Sequence, residues 1–366
     1  MIVRDTLSHS IGKWLFEGLV QIPVGDHGGA ITGWLDAVGN PSFLYGEITG
    51  YYLTCASFAG ATESGGVARE RTLNGRVTSA EEWLHGIWSK PPPATRHYLG
   101  ASSQDWRNDG VFTFDCAMMV RGLSARETAS NAATRRAIML QLAEHIDPDG
   151  TLASHVPRTS GAALFPERWS TRTGPFLLKA AAAILCAPDV PPTVRGAAEA
   201  TAARWRDWYA SHDIDGDLHP LLYHLEGLYL LSLSHRRPQP VAWEILEDVY
   251  IKILSRQRDD GSLPRSLSDA DSLPRADVMA QALRMGCLLI NNGRLAAPMW
   301  RERLSRLATN LEAFVEPSGG VRFERRPGGP VHLNVWCAVF AYQAFVLYDR
   351  ICRGIRIDSK VLRSIA

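Results

Sequence analysis

Residues 213–233 read D-I-D-G-D-L-H-P-L-L-Y-H-L-E-G-L-Y-L-L-S-L. Asp and Gly mark a tight turn. The stretch after it is apolar on almost every face and is broken only by a few polar side chains. A helix hydrophobic nearly all round is buried on all sides. The same unit of glycine turn, short extended piece and apolar helix recurs about six times, with turns at 28–31 (G-G-A-I), 108–112 (N-D-G-V-F), 147–152 (D-P-D-G-T-L), 213–218, 259–263 (D-D-G-S-L) and 318–323 (S-G-G-V-R-F). Buried helices are expected over 44–58, 113–123, 174–186, 219–233, 275–290 and 332–348.

Helices of a second kind lie between them, over 4–20, 79–89, 127–146, 191–211, 240–257 and 298–315. In 240–257, Trp243, Leu246, Val249, Tyr250, Ile253 and Leu254 recur at helical spacing against Glu244, Glu247, Asp248 and Lys252, the pattern of one apolar stripe facing a core. Six buried helices alternating with six amphipathic ones predict an all-α (α/α)6 toroid formed by residues 1–366 as one domain. The repeat period, about 40 to 80 residues, is too irregular for a tidy solenoid. The Gly/Ser-rich stretch 60–78 and the Pro-rich stretch 90–110, with Pro91, Pro92 and Pro93, are expected as long loops. Arg69, Arg71 and Arg76 read as cations of a solvated loop.

Composition narrows the partners. The chain of 366 residues is 46% hydrophobic with a net charge of +1, enough to bury a large core. A near-neutral balance gives no electrostatic case for nucleic acid or an anionic membrane surface. The six cysteines show no C-x-x-C spacing and read as small core residues of a reduced compartment. Asp5, His9, Lys13 and Glu17 interrupt the first twenty residues, unlike a secretory leader, and no run reaches the roughly 18 apolar residues of a membrane span. The expected location is the cytoplasm.

The rhythm of turn, extended piece and buried helix resembles the α/α-toroid superfamilies: six-hairpin glycosidases, polysaccharide lyases, sugar epimerases and terpenoid cyclases. Segments 219–229 (H-P-L-L-Y-H-L-E-G-L-Y) and 332–344 (H-L-N-V-W-C-A-V-F-A-Y-Q-A) are similar in style to inner helices of the carbohydrate-active members. The resemblance implies that the inner-helix N-termini and the loops before them line one central funnel.

The informative residues are then polar groups inside apolar helices, because burying one unpaired costs several kcal/mol. His219, Tyr223 and Glu226 fall at i, i+4 and i+7 on one face, with His224 beside them. Asp277, Gln281 and Arg284 repeat that spacing. Glu47 and Tyr51 are four apart, Asp115 opens the second buried helix, and His332, Asn334 and Trp336 open the sixth. Plainer roles stand beside the functional ones: a helix–helix tie for Glu226 or Glu47, a cap for Asp115 or Asp277, turn closure for His219 and His332, and packing for Tyr51, Tyr223 and Trp336.

A funnel of carboxylates, histidines and aromatic rings suits a saccharide. Hydrolysis needs an acid and a second carboxylate, for which Glu226 and Asp277 lead, with Glu47 and Asp115 behind them. Epimerisation or elimination needs a base at a carbon acid, for which His219, Tyr223, His224 and His332 are available. Arg172, Arg275 and Arg284 are candidates to clamp a carboxylate. Hydrolysis ranks ahead of elimination and epimerisation. An isoprenoid cyclase and a non-catalytic scaffold of polysaccharide assembly are the alternatives, predicting a greasy aromatic pocket and a filled core respectively.

No cofactor or metal is expected. D-I-D-G-D resembles the start of a calcium loop, but Leu218 and His224 occupy the positions where the loop needs Gly and Glu. The same run and D-A-D-S at 269–272 fail the acid motif of terpenoid cyclases, and Trp336-Cys337 lacks the Cys-His partner of the zinc-binding lanthionine cyclases. No phosphate-binding, dinucleotide or serine-hydrolase motif is present.

Overall fold

The computed structural model describes residues 2–62, 67–90, 93–99, 105–158, 165–214, 216–233 and 240–365. Among the described residues, twelve helices of ten residues or more form two concentric rings. The inner ring holds α2 (Gly46–Thr62), α4 (Thr113–Leu123), α6 (Leu177–Cys186), α8 (Leu218–Ser232), α10 (Ala276–Asn291) and α12 (Val335–Cys352). Each packs on the next and α12 packs back on α2, so the ring closes. The outer ring holds α1 (Ile2–Glu17), α3 (Val67–Trp88), α5 (Ala129–Ala143), α7 (Pro192–Arg206), α9 (Pro240–Leu254) and α11 (Ala297–Glu312).

Hydrophobic pattern decides which ring a helix joins. Of the 16 residues of α10, 14 are buried. In α11 only Leu304, Leu307, Ala308 and Leu311 are, a stripe at the 3.6-residue period. By length and composition α12 matches a membrane span, yet 67% of its residues are buried within the ring. The buried apolar side chains form one contiguous cluster from Ile11 to Ile365.

Some expected boundaries shift. The stretch expected as loop over 60–78 is helical from Val67, so α3 begins twelve residues before the predicted start. Arg76 is one of its helical residues and donates to the backbone oxygens of Glu17 and Gly18 at 3.1 and 2.9 Å, tying α3 to the end of α1. Polar composition hid this helix because α3 needs only one buried stripe. Its side chains at 67–69, and with them Arg69, fall outside the described residues, as do Pro91, Pro92 and Asp215. The helix expected over 191–211 breaks at Asp207, with a separate turn at Trp208–Ser211.

The loops before the inner helices carry three antiparallel ribbons: β1 (Trp34–Leu35) with β6 (Leu333–Asn334), β2 (Phe43–Tyr45) with β3 (Arg96–Tyr98), and β4 (Gly110–Phe112) with β5 (His155–Pro157). In the β2–β3 ribbon Phe43 pairs with Tyr98 and Tyr45 with Arg96. Directly opposed residues share a face, and this one turns all four side chains to the mouth of the ring. The Asp-Gly turns are built by side-chain bonds: Asp149 and Asp260 accept the N–H two residues on, at 3.0 and 2.8 Å. Gly261 takes φ of +85°, and a β-carbon there would meet the Arg306 carbonyl at 2.5 Å.

Glycines let α2 and α4 approach each other closely. A β-carbon on Gly122 would lie 2.5 Å from the Gly50 carbonyl oxygen, and one on Gly50 would lie 2.3 Å from that of Met118. Gly122→Val should therefore overpack a backbone contact and lower stability by about 1–3 kcal/mol, measured as a shift of the urea midpoint. An unchanged midpoint would contradict the close pairing of these helices.

Candidate active site

The first turns of α2, α8 and α12, with loop residues that precede α4, α6 and α10, line a cavity of about 490 Å3 at one end of the ring. Helix N-termini present unbonded N–H groups and positive dipole ends, a setting that favours the acidic residues of their first turns: Glu47 on α2, Asp115 on α4 and Asp277 on α10. Round the closed ring α2 and α8 stand three helices apart in either direction. Their first-turn residues Glu47 and His219 therefore come from opposite walls of one cavity, which both line.

On the α2 wall, Glu47 and Asp115 are in hydrogen-bond contact. Asp115 is the tethered partner. It accepts from Thr95 Oγ1 at 2.6 Å, Arg96 Nε at 3.2 Å and the Tyr45 hydroxyl at 3.3 Å. Burial, followed by the Asp115 charge, pushes the Glu47 carboxyl well above the ordinary carboxylate range. Two touching carboxyl groups cannot both ionise, so Glu47 holds a proton.

The opposite wall is a histidine backed by a carboxylate. His219 Nδ1 lies 2.7 Å from Gln281 Oε1 and 3.3 Å from Asp277 Oδ2. Both are acceptors, so Nδ1 carries the proton and Nε2 keeps its lone pair. The ring lines the cavity with Nε2 outside these bonds. Burial lowers the imidazole pKa more than Asp277 raises it, leaving the ring neutral near pH 7. Burial alone would raise the Asp277 pKa, but the Arg275 fork, closed on both its oxygens, holds it below the usual range. Trp336 Nε1 approaches Asp277 at 3.5 Å.

Below this wall the two polar stripes seen in the sequence zip together. A helix rises 1.5 Å per residue, so Glu226 lies roughly 10 Å deeper than His219. Gln281 Nε2 donates to Glu226 Oε1 at 3.2 Å, and Arg284 closes on the same oxygen. Lys179 of α6 donates to Glu226 Oε2 at 2.7 Å and to the Tyr51 hydroxyl at 3.0 Å. Arg284 reaches on to Gln343 of α12 at 2.5 Å. Burial lowers the Lys179 pKa to about 8. For Glu226, burial is outweighed by Arg284 and Lys179, so its carboxylate stays ionised. Tyr51 and Tyr223 share a hydrogen bond, and Tyr223 forms the cavity floor beside His219, ring centres 4.4 Å apart.

The remaining sequence candidates lie elsewhere. His224 turns to the Pro175 carbonyl and the Tyr209 ring, and burial lowers its pKa to about 4. His332 stacks behind Trp34 at 5.4 Å. Asn334 caps α12 by accepting the Cys337 N–H at 3.0 Å. Arg172 pairs with Glu167 on the surface. Trp336 does reach the cavity, together with residues that sequence reasoning missed: Trp34, Arg96, Arg168, Trp169 and Arg265.

Solved structures share this architecture along nearly the whole chain. A cellobiose 2-epimerase from Spirochaeta thermophila DSM 6192 is 13% identical with a TM-score of 0.68, covering 96% of this chain and 99% of its own. The chain is an α/α toroid. An unsaturated glucuronyl hydrolase from Bacillus sp. GL1 is 13% identical, TM-score 0.63, covering 96% and 98%. A polysaccharide lyase is 12% identical, TM-score 0.60, covering 97% and 100%. At such identities the likeness is one of fold. No protein-family model matches the toroid and no curated protein matches it in sequence.

The depth of Glu226 in the toroid gives it a measurable signature. Glu226→Gln leaves Lys179 and Arg284 buried without a carboxylate, a loss of about 3–5 kcal/mol that chemical denaturation should register. Stability within about 1 kcal/mol of the parent would mean that Glu226 does not hold the inner ring together.

Proposed function

We propose that this toroid is a saccharide-converting enzyme that moves protons between His219 and Glu47. The observation that carries the reading is the pairing of opposite states across one cavity. His219 is a neutral base with Nδ1 pinned and Nε2 free, and Glu47 is an acid that has kept its proton. Environments that push two titrating groups apart in this way assign acid and base. Trp34, Trp169 and Trp336 at the cavity offer flat faces for sugar rings. The structural neighbours named above bear the names of saccharide enzymes.

Among saccharide chemistries, proton abstraction from carbon fits better than hydrolysis. Glycosidases hold two carboxyl groups about 5–10 Å apart on either side of the scissile bond. Here Glu47 and Asp115 touch, Asp277 is bound by Arg275, and Glu226 is sealed under the floor. In the proposed step His219 Nε2 takes the proton from a carbon next to a carbonyl or carboxyl group, and the C–H electrons pass to that oxygen as an enolate. Return of the electrons to carbon, with the Glu47 proton added on the opposite face, inverts the centre. Loss of the β-oxygen, protonated by Glu47, completes an elimination instead. Four arginines in the lining argue against a cyclase, whose pocket would be greasy and aromatic around one isolated acid, and the open cavity argues against a scaffold.

His219→Asn should reduce kcat by about 10²–10⁴ with the melt preserved, and Glu47→Gln should do the same. The pH profile of kcat/KM carries the signs. Its acidic limb is the protonation of His219, below the ordinary imidazole value because burial lowers that pKa. Its alkaline limb is the ionisation of Glu47, above the ordinary carboxylate value because burial and Asp115 raise it. In heavy water, inversion should place deuterium on a sugar carbon, and elimination should leave an unsaturated sugar. Glycosidic cleavage that yields neither carbon-bound deuterium nor an unsaturated product would return the site to hydrolysis.

A further inference from the structure

We propose that the saccharide accepted by this cavity is an acidic one, a uronate, whose ring carboxylate is held at the mouth by Arg168 together with Arg265. The inference rests on the reading of the cavity as a saccharide site and names the class of sugar. Around the axis, cations stand at two levels: Arg96, Arg168, Arg265 and Arg275 at the cavity, with Lys179 and Arg284 among those under its floor. Four carboxylates face them: Asp115, Asp217, Asp277 and Glu226. Glu47 adds no charge because it keeps its proton. At the cavity the four cations meet three carboxylates, and under the floor Lys179 and Arg284 share Glu226 alone, so cations outnumber carboxylates at both levels, although the whole chain carries only +1.

Two of the cavity cations, Arg168 and Arg265, lie where a ligand would meet them first. Arg168 rests 5.5 Å over the Trp106 ring, and the adjacent carboxylate, Glu167, is taken by Arg172. Arg168 makes no ion pair among the described residues. The Arg265 side chain is 57% exposed and meets Asp217 only at 3.4 Å, an oxygen it shares with Arg275 at 3.5 Å. Both guanidiniums line the cavity, and their planar forks match a carboxylate. Trp169, next to Arg168, stands edge-on to His219 with ring centres 5.6 Å apart, so an anion at the mouth is beside the base.

Chemistry favours the same substrate. In a uronate the ring hydrogen next to the carboxylate is the acidic one, and neutralising that carboxylate lowers the barrier to removing it. A neutral sugar has no such carbon acid until its ring opens, and it would leave Arg168 without an anion.

The test is calorimetric binding to the full-length protein with four tetrasaccharide probes: oligogalacturonate, hyaluronan, cellotetraose and a sulfated carrageenan fragment. Both or either of the two uronate probes should bind at least tenfold tighter than cellotetraose and the sulfated fragment, and should weaken as salt rises. Arg168→Ala should cost about tenfold in uronate affinity, Arg168→Lys less, and neither should change cellotetraose binding. Equal or tighter binding of cellotetraose, preference for the sulfate ester, no uronate binding, or indifference to Arg168→Ala would each overturn the proposal. The readout is independent of turnover. Uronate binding that depends on Arg168, with turnover unaffected by His219→Asn, would keep the substrate class and discard the acid/base reading. A neutral sugar converted in a His219-dependent reaction would do the reverse.

Discussion

A carboxylate at the centre of a helical ring persists only if cations close on it, and the inner ring is organised around how Glu226 meets that condition. Lys179 comes from α6, Gln281 and Arg284 from α10, and through them Gln343 of α12 and Tyr51 of α2 are joined. Five of the six inner helices thus share one polar network in a core that is otherwise apolar. Breaking one member strands buried charge, so the network fixes the rotation of each helix about its own axis. That rotation decides which first-turn residues look into the cavity.

Depth then separates roles that sequence spacing leaves merged. Along α8, His219 is at the cavity wall, Tyr223 at its floor and Glu226 beneath it. Along α10, Asp277 orients the histidine, Gln281 bridges wall and floor, and Arg284 completes the network below. One i, i+4, i+7 pattern therefore serves a cavity wall, a cavity floor and a structural tie in successive turns. Fixed partners also set the electrostatics. The Asp277 and Gln281 acceptors choose the His219 tautomer, while the tethered Asp115 keeps the Glu47 proton in place.

The fold was legible because hydrophobicity alone distinguishes helices buried on every side from helices buried on one. The exception, the first part of α3, shows the limit: a polar, Gly-containing stretch is helical because a single stripe packs on its neighbours. The polar residues of the inner helices were also legible as exceptions to an apolar pattern. Their ranking was not, since Glu47 and Glu226 are both lone acids in apolar helices and only depth and partners tell them apart. Lys179 carried a signal, a single lysine in L-L-K-A-A-A-A-I-L-C, that marks the missing counter-charge of Glu226. Arg96, Arg168 and Trp169 carried none, because loop residues reach the mouth through ribbon pairing and turns that no periodicity records.

The base at the cavity wall is defined by the place of one proton. Nitrogen-15 NMR of the imidazole of His219, assigned by comparison with His219→Asn, reports directly where that proton sits. The account predicts a neutral ring at pH 7 with Nδ1 protonated and Nε2 bare, held without tautomer exchange by Asp277 and Gln281. A ring protonated on Nε2, or an imidazolium at that pH, would contradict it.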